Sequence, residues 1–301
     1  MKDDAIRNRN IEIFKETLAI TNAGNYVYRE NEPDEKKVLL KFKKEETEAS
    51  VILSEKTIQG LVKNPPYDGP KYIGSRCRFR VENIASYTAA IDISKEHLYS
   101  NDGHKQLVLN FASPTRPGGG VRTGAKAQEE DLCRKSTLLA SLESDGAGAM
   151  YRYNKAHRTI LNSDYMILSP MVEIIRDENN GLLQEPVAVS VLTAAAPHVS
   201  RGKQGISDRE IENVIYNRII GMLQVAATYK YRYLVLGAWG CGAFGNDADM
   251  MARLFYQAFK DIKCGRNLEV NDLFDCVVFA VLDKTEQKYN FRSFKKYFDH
   301  F

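Results

Sequence analysis

Cysteine is scarce in these 301 residues: there are five, an odd number, and no Cys-x-x-Cys. That argues against a disulfide framework and fits a reducing compartment, so a cytoplasmic location is expected. Long apolar runs are missing too. No stretch approaches the ~18 consecutive apolar residues that a membrane-spanning helix needs. The charged start Met1-Lys2-Asp3-Asp4 is followed by no apolar segment, so no signal peptide is expected. Charge of one sign is not in excess. A net +3, from 42 basic and 39 acidic residues, is too small to imply nucleic-acid binding. The histidines, His97, His104, His157, His198 and His300, show no metal-ligand spacing, and neither a metal nor another cofactor is expected. Repeats and low-complexity tracts are absent. What remains is the composition of an ordinary soluble globule, 44% hydrophobic and 27% charged. The length suits one large α/β domain, or one such domain with an extension, and a monomer is expected.

Along the chain, Ile6 to Leu18 has helical spacing, with Ile6, Asn10, Ile13, Phe14 and Leu18 near one face and Gly24 ending the helix. Residues 30–48 are dense in charge, with a possible strand at Lys37–Phe42. Asn64 to Pro70, rich in proline and glycine, reads as a rigid connector. Arg78–Val81 suits a strand and Ser86–Ile93 a helix. Tyr165–Ser169 suits a short strand, and Val172–Arg176 alternates like an edge strand. Val187–Ala196 is nearly all apolar, as a central strand covered on both faces should be. Ser207 with Glu210 forms a capping pattern, and Ile211, Val214, Ile215, Met222, Leu223 and Ala226 follow as a helical stripe. Tyr233–Gly237 is the next strand, Asp247–Phe259 a helix, Cys276–Leu282 a strand and Thr285–Tyr297 a closing helix. Alternating strands and helices predict an α/β fold, a three-layer α/β/α sandwich with a mixed central sheet. Residues 1–75 form an N-terminal, partly helical extension packed on a core of 76–301.

One stretch carries the chemistry. Leu107–Ala112 is a short apolar run suited to a buried strand. Pro114–Gly124 holds two prolines and four glycines and must be a loop. Gln128 opens a helix that should run to Leu142 and stop near Asp145-Gly146. Strand, glycine loop and helix bring backbone N–H groups up to a phosphate or sugar. The pair Glu129-Glu130 then stands where the helix begins. Taken alone, acidic residues there are ordinary partners of the helix dipole. Beside a phosphate cradle, they suggest acid/base work on the sugar of an anionic ligand.

A second glycine loop, Gly237 to Asp247, lies between a predicted strand and helix. Its small residues allow close approach to a diphosphate. Gly240, Gly242 and Gly245 also satisfy G-x-G-x-x-G, but after a late strand and without a ribose-binding acid on a following one. Cys241 could be a nucleophile, though no base is placed by the sequence. Phe244 packs on a ligand or is a core aromatic. His198 ends a strand after Ala195-Ala196-Pro197, where a satisfied structural histidine is the plainer reading.

Gly118-Gly119-Gly120, a seven-residue spacer, then Gln128-Glu129-Glu130, preceded by Asn110-Phe111-Ala112-Ser113, resembles the signature of microbial, macrodomain-type poly(ADP-ribose) glycohydrolases. Arg7, Asn10 and Lys15-Glu16-Thr17-Leu18 also resemble that family's N-terminal region, although a packing helix without chemistry is the preferred reading of them. The resemblance implies a macrodomain-like fold and hydrolysis of ribose–ribose bonds to release ADP-ribose, with ADP-ribose, its polymer or ADP-ribosylated proteins as partners. It implies Glu130 as acid/base and Glu129 as the residue that orients the distal ribose. Gly118, Gly119 and Gly120 would pass the ribose and phosphates, with Asn110 and Ser113 supporting Glu130 or the ribose and Gln128 beside them. Ala195 would stand at the ligand edge. Gly240, Cys241, Gly242 and Ala243 would wrap the diphosphate, with Phe244 against the ligand. Arg122 and Lys126 depart from the family's spacer and either reach phosphate or face solvent.

Adjacent residues on a helix point roughly 100° apart, so Glu129 and Glu130 cannot straddle a glycosidic bond. One of them must carry the proton transfers, and a partly buried pair should have one pKa raised. Three other functions remain compatible with the residues: a hydrolase of mono-ADP-ribosyl linkages such as those on arginine, a non-catalytic ADP-ribose reader, and a nucleotide-dependent oxidoreductase.

Overall fold

The computed structural model describes residues 2–31, 34–64, 76–96, 105–265 and 267–301. His97, His104 and the expected connector at 65–70 lie outside the described residues. In chain order the elements are α1 (Lys2–Ala23), β1 (Asn25–Asn31), β2 (Asp34–Leu39), α2 (Lys44–Glu48), β3 (Val51–Leu53), α3 (Glu55–Lys63), β4 (Arg78–Glu82) and α4 (Ser86–Glu96). Then come β5 (Gln106–Phe111), α5 (Gln128–Lys135), α6 (Leu138–Leu142), α7 (Gly148–Ala156), β6 (Met166–Arg176) and β7 (Leu182–Ala194). The chain closes with α8 (Asp208–Thr228), β8 (Tyr233–Leu236), α9 (Ala248–Asp261), α10 (Val270–Leu273), β9 (Cys276–Ala280) and α11 (Tyr289–Phe298).

Seven strands form one mixed sheet in the order β3-β6-β7-β5-β8-β9-β4. The β3/β6 and β6/β7 pairs are antiparallel, and the other four are parallel. Period-two alternation divides the core. Leu107, Leu109, Leu192, Leu234 and Phe279 face one apolar layer with Ile215, Ile219, Phe255 and Phe294 of α8, α9 and α11. Val108, Val191, Val235 and Val278 face the other, with Tyr87, Ala90, Leu132, Leu138 and Met150 of α4 to α7. A sheet covered on both faces needs apolar residues at consecutive positions, which is why β5, β7 and β9 read as near-continuous apolar runs. The α/β/α sandwich expected from the sequence is the one observed.

Several elements differ from expectation. The helix drawn from Gln128 to Leu142 breaks at Ser136-Thr137. Ser136 is extended (φ −151°, ψ 175°) and bridges to Ile174. Thr137 and Glu173 exchange hydrogen bonds: Thr137 N–H donates to the Glu173 carbonyl at 3.1 Å, and Glu173 N–H donates to Thr137 Oγ1 at 3.0 Å. Ser and Thr offer the backbone this alternative to helix. The chain resumes helix as α6, which ends at Leu142, and a further helix, α7, starts at Gly148 past the expected stop. The two segments at 165–176 are one strand with a register shift between Ser169 and Val172, around Pro170. The closing helix starts at Tyr289 rather than Thr285, because Asp283 accepts from the N–H groups of Thr285 and Asn290 and holds the chain between them in a loop.

The expected boundary near residue 75 is crossed by the main sheet, since β3 pairs with β6. In the same N-terminal region, β1 and β2 make a separate antiparallel ribbon. Tyr26 on it donates to the Leu183 carbonyl at 2.6 Å. Among the described residues, no helix is long and apolar enough to cross a membrane.

Candidate active site

The parallel strands β7, β5 and β8 are neighbours, so their carboxyl ends deliver three loops to one edge of the sheet. That edge is where ligands bind in open α/β folds. Ala112 N–H donates to the Ala194 carbonyl at 3.1 Å, stitching the first two strand ends together. The Phe111 ring packs under Gly237 at the start of the β8 loop. Trp239 from that loop is fully buried and donates Nε1–H to the Ala194 carbonyl at 2.9 Å.

The β5 loop turns back over the start of α5 and covers both carboxylates. Gln128 latches helix to strand: its Oε1 accepts from Phe111 N–H at 2.9 Å, and its Nε2 donates to the Leu109 carbonyl and Ser86 Oγ. Glu129 is 3% exposed. Its Oε2 accepts from Ser113 N–H at 2.7 Å, and its Oε1 accepts from Asn110 Nδ2 at 3.4 Å. Burial, with the neighbouring Glu130 charge adding to it, pushes the Glu129 pKa up to about 8 against the hydrogen bonds from Ser113, Asn110 and Gly118. Glu130 is 8% exposed, and its environment is different. Oε1 accepts from Gly120 N–H at 2.7 Å, while Oε2 is buried with no hydrogen-bond partner among the described residues. Among the described residues, neither carboxylate has an ion-pair partner.

The other two loops are tied to each other. Asn246 Nδ2 donates to the Pro197 and Gly240 carbonyls at 2.8 and 3.1 Å. Ser200 donates its N–H to the Phe244 carbonyl and its hydroxyl to the Ala243 carbonyl. The His198 and Phe244 rings stack, with centroids 4.3 Å apart and planes 11° apart. Behind them, the buried Arg218 donates Nε to Asp164 Oδ1 at 2.7 Å, Nη1 to the Leu161 and Ala195 carbonyls, and Nη2 to the Asn162 carbonyl.

A family model described as the catalytic domain of microbial-type PARG, poly(ADP-ribose) glycohydrolase, matches residues 14–177. The solved poly(ADP-ribose) glycohydrolase of Thermomonospora curvata is 31% identical, with a TM-score of 0.85 over 97% of this chain and 100% of that one. This chain belongs to the microbial-type poly(ADP-ribose) glycohydrolase family. The same T. curvata enzyme bound to the inhibitor ADP-HPD matches at 30% identity and a TM-score of 0.81, over 96% of this chain and 99% of that one. The Deinococcus radiodurans enzyme in complex with ADP-ribose matches at 30% identity and a TM-score of 0.71, over 85% and 96%. No curated protein sequence matches at a significant level. As a member of this family, the chain is a glycosidase acting on ADP-ribose polymers.

In this glycohydrolase the residues singled out from the sequence separate by what they touch. Asn110 and Ser113, expected behind Glu130 or the ribose, both hold Glu129, and Ser113 does so through its backbone. Gln128, expected at the ligand, has its side-chain oxygen and nitrogen engaged by the scaffold. Ala195 is buried, and its carbonyl is turned to Arg218. Gly118 to Gly120, expected to pass the ribose and phosphates, lie over the carboxylates, Gly118 and Gly120 joined to them by hydrogen bonds and Gly119 by close approach. Gly240, Gly242, Ala243 and Phe244 lie together in the β8 loop. Cys241 is a poor nucleophile, because burial pushes its thiol up to about 12. Arg122 Nη2 donates to both oxygens of Glu143 at 2.9 Å, and Lys126 pairs with Asp3 at 3.2 Å, so both spacer cations have protein partners.

Thr193, Trp239, Asn246 and Arg218 have no role assigned from the sequence. For Arg218 a signal was present: a cation placed among the apolar positions Ile215, Ile219 and Met222 of a helix must be buried and paired.

Proposed function

We propose that Glu130 is the general acid/base of the polymer-cleaving reaction and that Glu129 is the ribose-orienting partner. The supporting observation is the difference between two adjacent carboxylates. Glu129 has both oxygens tied to strand β5 and the loop after it. Glu130 keeps a buried oxygen, Oε2, with no partner among the described residues, which a substrate oxygen or water can use. With its pKa near 8, Glu129 holds a proton at neutrality beside Glu130. A proton on Glu130 Oε2 passes to the departing ribose oxygen as the anomeric C–O bond breaks. The oxocarbenium-like centre is then attacked by water, whose proton returns to Glu130. Ser113, Asn110 and Gly118 take three of the four acceptor sites of the Glu129 carboxyl group, which leaves one for a ribose hydroxyl. The substrate is poly(ADP-ribose), with ADP-ribose as product. The diphosphate meets the β8 loop from Gly240 to Ala243, and Phe244 packs against the ligand. Residues 1–75 and 76–301 act as one continuous unit.

The test is ADP-ribose release from automodified protein by wild type and Glu130→Gln. Release by wild type, none by the variant and unchanged ADP-ribose affinity are expected. A Glu130→Gln enzyme that turns over normally, beside a dead Glu129→Gln, would reverse the two roles.

A further inference from the structure

Helix α1 grips the far side of the catalytic loop. Arg7 Nε donates to the Thr123 carbonyl at 2.6 Å, and Asn10 Nδ2 donates to the Gly124 carbonyl at 3.1 Å. Gly124 sits at φ +76°, and a Cβ there would lie 2.3 Å from the Arg7 carbonyl oxygen, so the two backbones are in direct contact. The Arg122 guanidinium lies 5.5 Å from the Phe14 ring centroid. One helical turn further on, Thr17 Oγ1 donates to the Arg134 carbonyl at 2.6 Å, fixing α1 to the end of α5. Thr17 and Glu16 are themselves held by Arg176 at 2.9 and 2.7 Å.

These ties reach the carboxylate in two steps. Thr123 N–H, Thr123 Oγ1 and Ala125 N–H all donate to the Gly120 carbonyl, at 3.0, 3.0 and 3.2 Å. Gly120 N–H in turn holds Glu130 Oε1. The loop between Gly118 and Ala125 is therefore a small closed unit. It is clamped by α1 at Thr123-Gly124 and bonded to Glu130 at Gly120.

We propose that α1 is a positioning element for the reaction, with Arg7 and Asn10 setting where the Gly120 N–H meets Glu130. The proposal rests on Glu130 carrying the proton transfers. It also gives a physical reason for Arg7, Asn10, Glu16 and Thr17, the N-terminal residues by which the sequence resembles the family. Neither Arg7 nor Asn10 touches the reacting atoms. Their loss should therefore lower turnover more than affinity, since a misplacement near 1 Å can cost on the order of a hundredfold in rate.

The test compares wild type, Arg7→Ala/Asn10→Ala, and Arg9→Ala, an exposed neighbour on the same helix. Turnover on poly(ADP-ribose), KM, ADP-ribose affinity, melting temperature and amide exchange of residues 119–125 are measured. The expected result for the double variant is faster loop exchange and kcat reduced by roughly tenfold or more. KM and ADP-ribose affinity should stay within about twofold, with Arg9→Ala unchanged in every readout. Unaltered exchange, faster exchange with unaltered kcat, or equal losses in kcat and affinity with a large fall in melting temperature each overturn the proposal. Loss in the double variant beside full activity in Glu130→Gln would instead remove the Glu130 assignment and leave the brace standing.

Discussion

Gly119 turns at φ +57° directly against Glu130, and a Cβ built on it would lie 2.4 Å from Glu130 Oε1 and 3.1 Å from Glu129 Oε2. No side chain fits between that turn and the carboxylates. Gly119→Ala therefore combines an unfavourable left-handed backbone with displacement of the Glu130 carboxylate. Its kcat on poly(ADP-ribose) should fall at least about a hundredfold. Circular dichroism and a melting curve should show that the fold survives. Turnover within threefold of wild type would mean that the loop can move away from Glu130 without consequence.

The raised Glu129 pKa makes a stability prediction whose sign is fixed. A carboxyl that ionises near pH 4.5 when unfolded and near 8 when folded binds more protons in the folded state across that window. Stability from this group is complete below the lower value and is lost as pH rises toward the upper one, at no more than about 1.4 kcal/mol per pH unit. Glu129→Gln removes the titration and keeps the shape. The melting temperature of the variant relative to wild type should therefore climb between pH 5 and pH 8. A difference that does not vary with pH would show Glu129 to be ionised throughout.

Much of the site was legible because it is local in sequence. An apolar run, a proline–glycine loop and Gln128-Glu129-Glu130 specify strand, turn and helix within about thirty residues. The layers followed from the near-continuous apolar runs of β5 and β7, from the alternation of strands with helices and from the long stripe of α8. What stayed hidden depends on partners far away in the chain. The α5 break needs Glu173, 36 residues beyond Thr137. Strand β3 is three residues long, and only its pairing with β6 defines it. Asn110 was expected to support Glu130 or the ribose. Its attachment to Glu129 and Thr193 is settled by which way β5 faces when the sheet closes.

Cys241 should be inert. Burial holds its thiol well above the range in which a thiolate forms at neutral pH, and the Asp247 charge adds to the shift. Cys241→Ser should retain turnover within about twofold. Iodoacetamide at pH 7.5 should label it far more slowly than a free thiol in the unfolded chain, as intact-mass measurement in and out of denaturant would show. Rapid native labelling with loss of activity would restore Cys241 as a reacting group.

The His198–Phe244 stack joins the β7 and β8 loops, and it predicts a separation of affinity from rate. A stacked aromatic pair contributes about 0.5–1.5 kcal/mol beyond its buried area, roughly a two- to tenfold change in an equilibrium constant. His198 also gives a ring hydrogen bond to the Ala243 carbonyl, and burial followed by Arg201 lowers its pKa, so it stacks as a neutral ring near pH 7. His198→Ala frees Phe244 without touching either carboxylate. ADP-ribose should bind two- to tenfold more weakly by calorimetry, with kcat at saturating polymer within about twofold of wild type. His198→Phe keeps a ring against Phe244 and should recover most of the affinity. Affinity unchanged in His198→Ala would place Phe244 outside the ligand's reach, whereas a fall in kcat alone would couple this stack to Glu130.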